Sequence, residues 1–310
     1  MPEPQISAIV CTHNREEYLG AAIDSLLHQD FDNYEVIVVD NASSDRTRQL
    51  VEERLSNPQL NYVYEETIGS SFARNAGAKE ARAPILAYLD DDAIASPQWL
   101  KTLYNAYQSH EQLAIAGGKV TLLRPDGVEF PPWLSSELAA HLGAYDLGDS
   151  MVYITYPGLT PRGLNYSIRK SFLEEVGGFN VKLGRVGRNV LSNEELHMTE
   201  LALWKGYLVA YLPEAVVSHN ISPERLKRHW FLQQSWWQGI SKYQREQLTG
   251  RGGWGQLSRG SRQFINRLYQ SVKHVRNPAL RFDNLVDAYG QLGYLSAAVK
   301  GVLRKPMQIK

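Results

Sequence analysis

The chain has 310 residues, of which 43% are hydrophobic and 21% charged, and its 33 basic side chains equal its 33 acidic ones. This fits an ordinary globular protein with a sizeable core, as one large domain or two unequal ones, and the total charge points to no partner. One cysteine, Cys11, excludes an internal disulfide or a Cys-rich metal site, and no uncharged stretch approaches the ~20 apolar residues of a membrane span.

The distribution of charge says more than its sum. Residues 1–221 carry 17 basic and 29 acidic side chains, net −12, while residues 222–310 carry 16 and 4, net +12. Such asymmetry predicts a separate C-terminal segment with its own partner surface, often an anionic one. Glu3 and a short apolar run at the N-terminus predict no signal peptide, so the expected compartment is the reducing cytoplasm.

Ile6–Cys11 is an apolar run of strand length, followed by Thr12, His13 and Asn14. No glycine-rich turn comes next, so the dinucleotide-binding fingerprint is missing and a nicotinamide-dependent oxidoreductase is disfavoured. Glu16–Gln29 has Leu19, Ile23, Leu26 and Leu27 at helical spacing. Glu35–Asp40, "EVIVVD", reads as a strand buried on both faces. Asp45–Ser56 reads as a helix capped by Ser44 or Asp45. Asp40, at the strand end, serves either an Asx-turn or a nucleobase or ribose. Asn61–Glu65 is a short strand and Ser70–Ala81 an alanine-rich helix. Arg74 lies in the first turn of that helix, either as a solvated side chain or as a charged fork where helix ends attract phosphate.

Pro84–Asp90 is a strand and Pro97–Ser109 a helix with Ser96 as its expected cap. The alternation implies parallel strands joined by right-handed crossovers, hence a doubly wound α/β sheet. Between these last two elements stands Asp90-Asp91-Asp92. Ligands in such sheets bind beyond the carboxyl ends of the strands. Three adjacent carboxylates raise the free energy of a site unless a cation offsets it. In an extended segment Asp90 and Asp92 would share one face, and an all-oxygen pair suits a hard divalent ion such as Mg²⁺ or Mn²⁺.

Leu113–Leu123 reads as a strand, residues 124–162 show no clear periodicity, and Arg162–Arg169 is another strand. Gly177, Gly178, Gly184 and Gly187 punctuate a loop before the helix Glu194–Lys205. Tyr207–Tyr211 and Ala215–Ser218 are short strands, and His219 follows the second. Glu194 and Glu195 open their helix, where acidic residues also complement the macrodipole. Glu194-x-x-His197 has the spacing of a di-iron ligand pair, but the four-helix bundle with a second such motif is missing. Helices are then expected at Glu224–Arg245, Ser261–Arg276 and Asn284–Val302, with "LTGRGGWGQLSRG" as a flexible basic linker between the first two.

Five ordered segments carry a likeness over about residues 6–220: "SAIVCTHNREEYLGAAIDSLLHQ", "YEVIVVDNASSDRT", "GSSFARNAGAKEARAPILAYLDDDA", "LNYSIRKSFLEEVGGFN" and "SNEELHMTELALWKGYLVAYLPEAVVSH". Together they resemble the family 2 glycosyltransferases with the GT-A fold, and "LSNEE" with the later "WF…WWQG" looks like bacterial exopolysaccharide-type members. The resemblance implies a catalytic domain over 1–221, with a nucleotide-binding half to about residue 110 and an acceptor-binding half over 111–221, then a basic helical extension over 222–310. It implies that Thr12, Asn14, Asp40, Arg74, Asp90 and Asp91 line a nucleotide-sugar donor, with UDP-sugars the first expectation. Asp92 and His219 would hold Mn²⁺ or Mg²⁺. Glu195 would be the general base, beside its acidic neighbour Glu194. The family commonly has Glu-Asp where this chain has Glu-Glu.

The implied reaction is a single inverting displacement that adds one sugar to a hydroxyl of a saccharide or lipid-linked acceptor. Processive members carry Gln-x-x-Arg-Trp and membrane spans, whereas this chain has "QQSWW" and no span. A non-catalytic sugar-nucleotide-binding or carbohydrate-binding protein of the same fold is the alternative. The basic tail, with Trp230, Trp236 and Trp237, is expected either to pack on the catalytic domain or to meet the inner face of an anionic membrane as a peripheral surface. No nucleic-acid recognition motif accompanies the charge. The loop Gly184–Asn193, with Arg185 and Arg188, is expected to order over the donor diphosphate.

Overall fold

The computed structural model describes residues 3–185, 192–248 and 254–304. In chain order the elements run β1 (Ile6–Thr12), α1 (Glu16–Leu27), β2 (Tyr34–Asp40), α2 (Thr47–Glu52), β3 (Leu60–Tyr64), α3 (Ser70–Glu80), β4 (Ile85–Asp90), β5 (Ala93–Ala95), α4 (Trp99–Ser109) and β6 (Leu113–Leu123). Then come α5 (Ser136–His141), β7 (Val152–Tyr153), β8 (Asn165–Arg169), α6 (Lys170–Glu175), α7 (Glu194–Trp204), β9 (Leu208–Asn220), α8 (Arg228–Leu248), α9 (Trp254–Lys273) and α10 (Pro278–Arg304). Contacts divide the chain into two compact units. One holds 1–123, 143–182 and 194–220; the other holds 124–142, 183–193 and 221–310.

The first unit is built on a nine-stranded sheet in the order β3-β2-β1-β4-β8-β6-β9-β5, with β7 on β9. β1 to β4 pair in parallel, as their continuous apolar runs predict. β6 and β9 also pair in parallel. β8 departs from this and runs antiparallel to both β4 and β6. Within this unit no α-helix separates β6 from β8, and without a crossover helix a strand returns antiparallel. Parallel register places Thr12 opposite Asp40 and Cys11 opposite Asp90, so three strand ends open on one edge. Cys11 is partly buried against the core.

Two sequence expectations fail in this unit. The two strands read at 207–211 and 215–218 are one, β9, with a bulge. Leu212 pairs with Gly118 and Val217 with Val120, which leaves 213–216 out of register around Pro213, where a ladder donor is missing. A side chain at 118 would collide with the Ala215 carbonyl oxygen. The Ser96 hydroxyl does not cap α4. That helix starts at Trp99, and the Gln29 side chain accepts from Leu100 N at 3.0 Å instead. Asp45 does cap α2, accepting from Thr47 N at 3.0 Å. Its other oxygen accepts from Glu16 N at 3.2 Å, and Glu16 accepts from Arg46 N at 2.6 Å, so α1 and α2 cap each other.

The second unit is helical. Trp133 packs edge-on against Phe231 (5.4 Å) and Phe282 (4.9 Å), with the Arg228 guanidinium over Trp133 and Phe282. α8 and α10 approach closely because small residues meet: a side chain at Gly239 would strike the Gly290 carbonyl oxygen. α9 begins at Trp254, seven residues before the expected start. Gly260 is buried within this helix, and a methyl group there would come within 3.3 Å of Leu295, so its bareness serves packing rather than a flexible linker. Among the described residues no helix is long and apolar enough to cross a membrane.

Candidate active site

The carboxyl ends of β1, β2 and β4 supply the first group of side chains. Asp40 is buried at the end of β2, where it accepts from Ser43 N (2.9 Å) and from the Tyr62 hydroxyl (2.8 Å). Buried Thr12 ends β1 and lies against the Asp91 carboxyl. Asn14 sits at φ +53, a left-handed conformation that asparagine tolerates, and its Oδ1 accepts from Ser44 N at 2.7 Å. It therefore ties the loop after β1 to the loop after β2. Asn41 does the same on the far side: its Nδ2 donates to the carbonyls of Glu65 and Thr67, and its Oδ1 accepts from Gly69 N at 2.7 Å. It fixes the approach to α3.

The aspartate triplet turns rather than staying extended. Asp90 remains the exposed member, while Asp91 and Asp92 are drawn inward and share one cation, Arg15. The expected pairing of Asp90 and Asp92 on one face is thus replaced by Asp91 with Asp92. The Arg15 guanidinium donates to Asp92 Oδ2, lies 3.7 Å from Asp91 Oδ1 and stacks over the Tyr18 ring. The other Asp92 oxygen is 3.1 Å from His219 Nε2, and both side chains are only 5% exposed. β5 makes this contact, since Ala93 pairs with His219 on β9. Burial, reinforced by the Asp92 charge, pushes the Asp91 carboxyl up to about 7.

Arg74 forms the centre of the third group. It is the fifth residue of α3, one turn into the helix rather than in its first turn, and is 10% exposed. Its Nη1 lies 2.8 Å from Glu194 Oε1 and 2.7 Å from Glu195 Oε1, and its Nη2 lies 3.9 Å from Asp90. Burial alone would lower its pKa, but Glu195, Glu194 and Asp90 outweigh burial and hold it above the usual arginine value. Glu194 also accepts from the Ser70 hydroxyl at 3.0 Å and is the more buried of the two glutamates. Gly163, just before β8, lets the chain pass this cluster: a side chain there would run into Glu195 Oε1 and come within 2.6 Å of Arg74 Nη2. Next to it the Arg162 guanidinium stacks over Tyr145, with burial lowering its pKa against the pull of Tyr145 and Glu195.

Every site residue expected from sequence lies in the first unit, gathered into these three groups. Arg74 joins Asp90 to Glu194 and Glu195 across more than 100 positions of chain. Arg15, Asn41, Arg162 and Gly163 escaped the sequence reading. Arg15 had one available signal, its place three residues beyond the carboxyl end of β1. The loop 184–193 falls largely outside the described residues, Arg188 with it, so its expected closure has no counterpart here.

Among the described residues no three His, Cys, Asp or Glu side chains are grouped to hold a metal ion by themselves. Asp92 and His219, the pair expected to hold a metal, contact each other, and of the two the carboxylate is the hard oxygen donor that Mn²⁺ or Mg²⁺ takes. Two protein ligands would leave the other coordination positions to phosphate oxygens and water.

Residues 7–138 match the family described as "Glycosyl transferase family 2", and residues 85–295 match "Glycosyl transferase family group 2". The chain is 30% identical over 247 residues to a glucosyl-dolichyl phosphate glucuronosyltransferase of Haloferax volcanii, covering 77% of this chain and 76% of that one. It is 34% identical over 108 residues to a validoxylamine A glucosyltransferase of Streptomyces hygroscopicus, covering 34% of this chain and 24% of that one. Among solved structures it is similar to a mannosyltransferase of Pyrobaculum calidifontis in complex with GDP-Man and Mn²⁺, with a TM-score of 0.55, 18% identity, and coverage of 98% of this chain and 76% of the other. A structure of S. aureus TarS residues 1–349 with UDP gives a TM-score of 0.53 at 18% identity, with 99% and 94% covered.

Proposed function

The chain belongs to the family 2 glycosyltransferases and has the GT-A fold, and on that footing we propose that it moves one sugar from a nucleotide-diphosphate sugar to a hydroxyl of a saccharide or lipid-linked acceptor, by a single inverting displacement. The observation that carries this reading is Arg74. It links the donor-side carboxylate Asp90 to the acidic pair Glu194 and Glu195, so the two halves of a transfer site stand within one side chain's reach.

Glu195 is the residue proposed to take the proton from the acceptor hydroxyl. It is the less buried of the pair, which makes it the better placed of the two to meet an acceptor hydroxyl. Glu194, locked by Ser70 and Arg74, is proposed to position the guanidinium. Asp40, Thr12 and Asn14 are proposed to line the nucleoside, at the strand ends where such sheets bind ligands. A divalent ion held by Asp92 and His219 would supply positive charge beside the departing diphosphate. The Pyrobaculum structure with GDP-Man and Mn²⁺ and the TarS structure with UDP support a nucleotide donor. The glucosyl-dolichyl phosphate relative supports a lipid-linked acceptor.

The test is a transfer assay over UDP-, GDP-, CDP- and dTDP-sugars with Mn²⁺, with dolichyl- and undecaprenyl-phosphate-linked sugars as acceptors. Glu195→Gln is expected to lower turnover about 10²–10⁴-fold while leaving nucleotide binding intact. Undiminished turnover in Glu195→Gln would remove the base assignment, and activity indifferent to chelation would remove the metal.

A further inference from the structure

α9 carries an apolar stripe in solvent. Ile265 is 66% exposed, Tyr269 62%, Val272 74%, and Leu268 continues the row. Offsets of three, four and seven residues put Leu268, Tyr269 and Val272 on the helical face of Ile265. The helix meets α10 along another edge: Gly260 and Ser271 are buried there, and the Ser271 hydroxyl donates to the Arg281 carbonyl at 3.1 Å. At about 100° per residue, that buried edge lies roughly a quarter turn from the stripe. The stripe is therefore not this unit's own core.

Charge sits on its other flank. Arg259, Arg262 and Lys273 fall on the side of the helix opposite the α10 edge, next to the apolar row, and Arg276 follows in the turn after it. From Trp254 to Phe282 the sequence holds no aspartate or glutamate. Exposed contiguous apolar surface bordered by one sign of charge marks an interaction face. A second copy of the chain fits it poorly, because apposing two such faces would bring the basic flanks together without one carboxylate. A nucleic-acid backbone would satisfy the arginines and leave the apolar row against phosphates.

We propose that α9 is an interfacial helix that lies in the surface of an anionic lipid bilayer, with Ile265, Leu268, Tyr269 and Val272 in the acyl boundary and Arg259, Arg262 and Lys273 among the headgroups. The inference concerns the second unit alone and stands or falls separately from the transfer reaction.

Flotation of the full chain with phosphatidylcholine vesicles, with and without phosphatidylglycerol, tests it. The wild type is expected to float with the anionic vesicles, less so at high salt, and to stay down with the neutral ones. Ile265→Glu with Val272→Glu, both solvent-facing changes, should abolish flotation without altering the circular dichroism or thermal midpoint. Arg262→Gln with Lys273→Gln should weaken partitioning about fivefold per charge removed. A chain that never floats with anionic vesicles, or floats equally well in the Ile265→Glu, Val272→Glu variant, overturns the proposal. So does a dimer in sedimentation that this variant dissolves, which would assign the face to a second copy.

Discussion

Arg74 holds Glu195 at 2.7 Å, and the same Nη1 reaches Glu194 at 2.8 Å. One cation thus bridges two adjacent carboxylates and offsets part of their repulsion at the start of α7. Removing it strands a buried glutamate. Arg74→Ala is expected to destabilise the protein by about 3–5 kcal/mol, the usual result of leaving one partner of a buried pair uncompensated. Arg74→Lys keeps the charge but loses the fork, and should fall between. Thermal midpoints in the order wild type, Arg74→Lys, Arg74→Ala are expected; an unchanged midpoint in Arg74→Ala would show the pair to be idle.

The two glutamates should separate by assay. Glu194 is the more buried and is bonded by Ser70 and Arg74. Glu194→Gln is therefore expected to lower the thermal midpoint more than Glu195→Gln, and Glu195→Gln to lower turnover more than Glu194→Gln. The reverse pattern would exchange their roles.

Gly163 borders the cluster with no room for a methyl group. Gly163→Ala should displace Glu195 or the chain before β8, with a stability loss of about 1–3 kcal/mol, the common cost of overpacking. Turnover is expected to drop at least tenfold with nucleotide affinity nearly unchanged. Wild-type kinetics in this variant would mean that the site yields without consequence.

Arg15 sits on Asp92, the carboxylate proposed to hold the metal, and on that proposal the two cations would compete for it. Arg15→Ala should destabilise the metal-free protein, since Asp91 and Asp92 lose their shared counter-charge, and should raise Mn²⁺ affinity on the order of tenfold. Calorimetric Mn²⁺ titration of both proteins reads this directly. Weaker Mn²⁺ binding in Arg15→Ala would place Arg15 with the ion rather than against it.

In the helical unit, a methyl at position 239 meets backbone, not a movable side chain. Gly239→Ala is expected to spread α8 from α10 and cost about 1–3 kcal/mol despite its better helix propensity. Faster amide exchange along α8 and α10, with α1 to α4 unchanged, is the signature to look for.

Much of the first unit was written in local pattern. Continuous apolar runs marked β1, β2 and β4, helical spacing marked α1 and α4, and strand-end aspartates marked where a ligand would sit. These signals are legible because each depends on a few neighbouring residues and on burial alone. Sequence also supplied the charge contrast that singled out the tail, and its acid-free stretch from 254 to 282 made an anionic partner surface arguable.

Only the tertiary structure decided the rest, because it depended on approach between distant segments. Arg15 meets Asp92 across 77 positions and Arg74 meets Glu194 across 120. No spacing rule connects them. The antiparallel entry of β8, the fusion of two short strands into β9 and the close packing of glycines at 163 and 239 arise from which backbones come to lie side by side. Periodicity locates an apolar residue on its own helix or strand, whereas a salt bridge or a close glycine contact is settled by the neighbour that the fold brings to it.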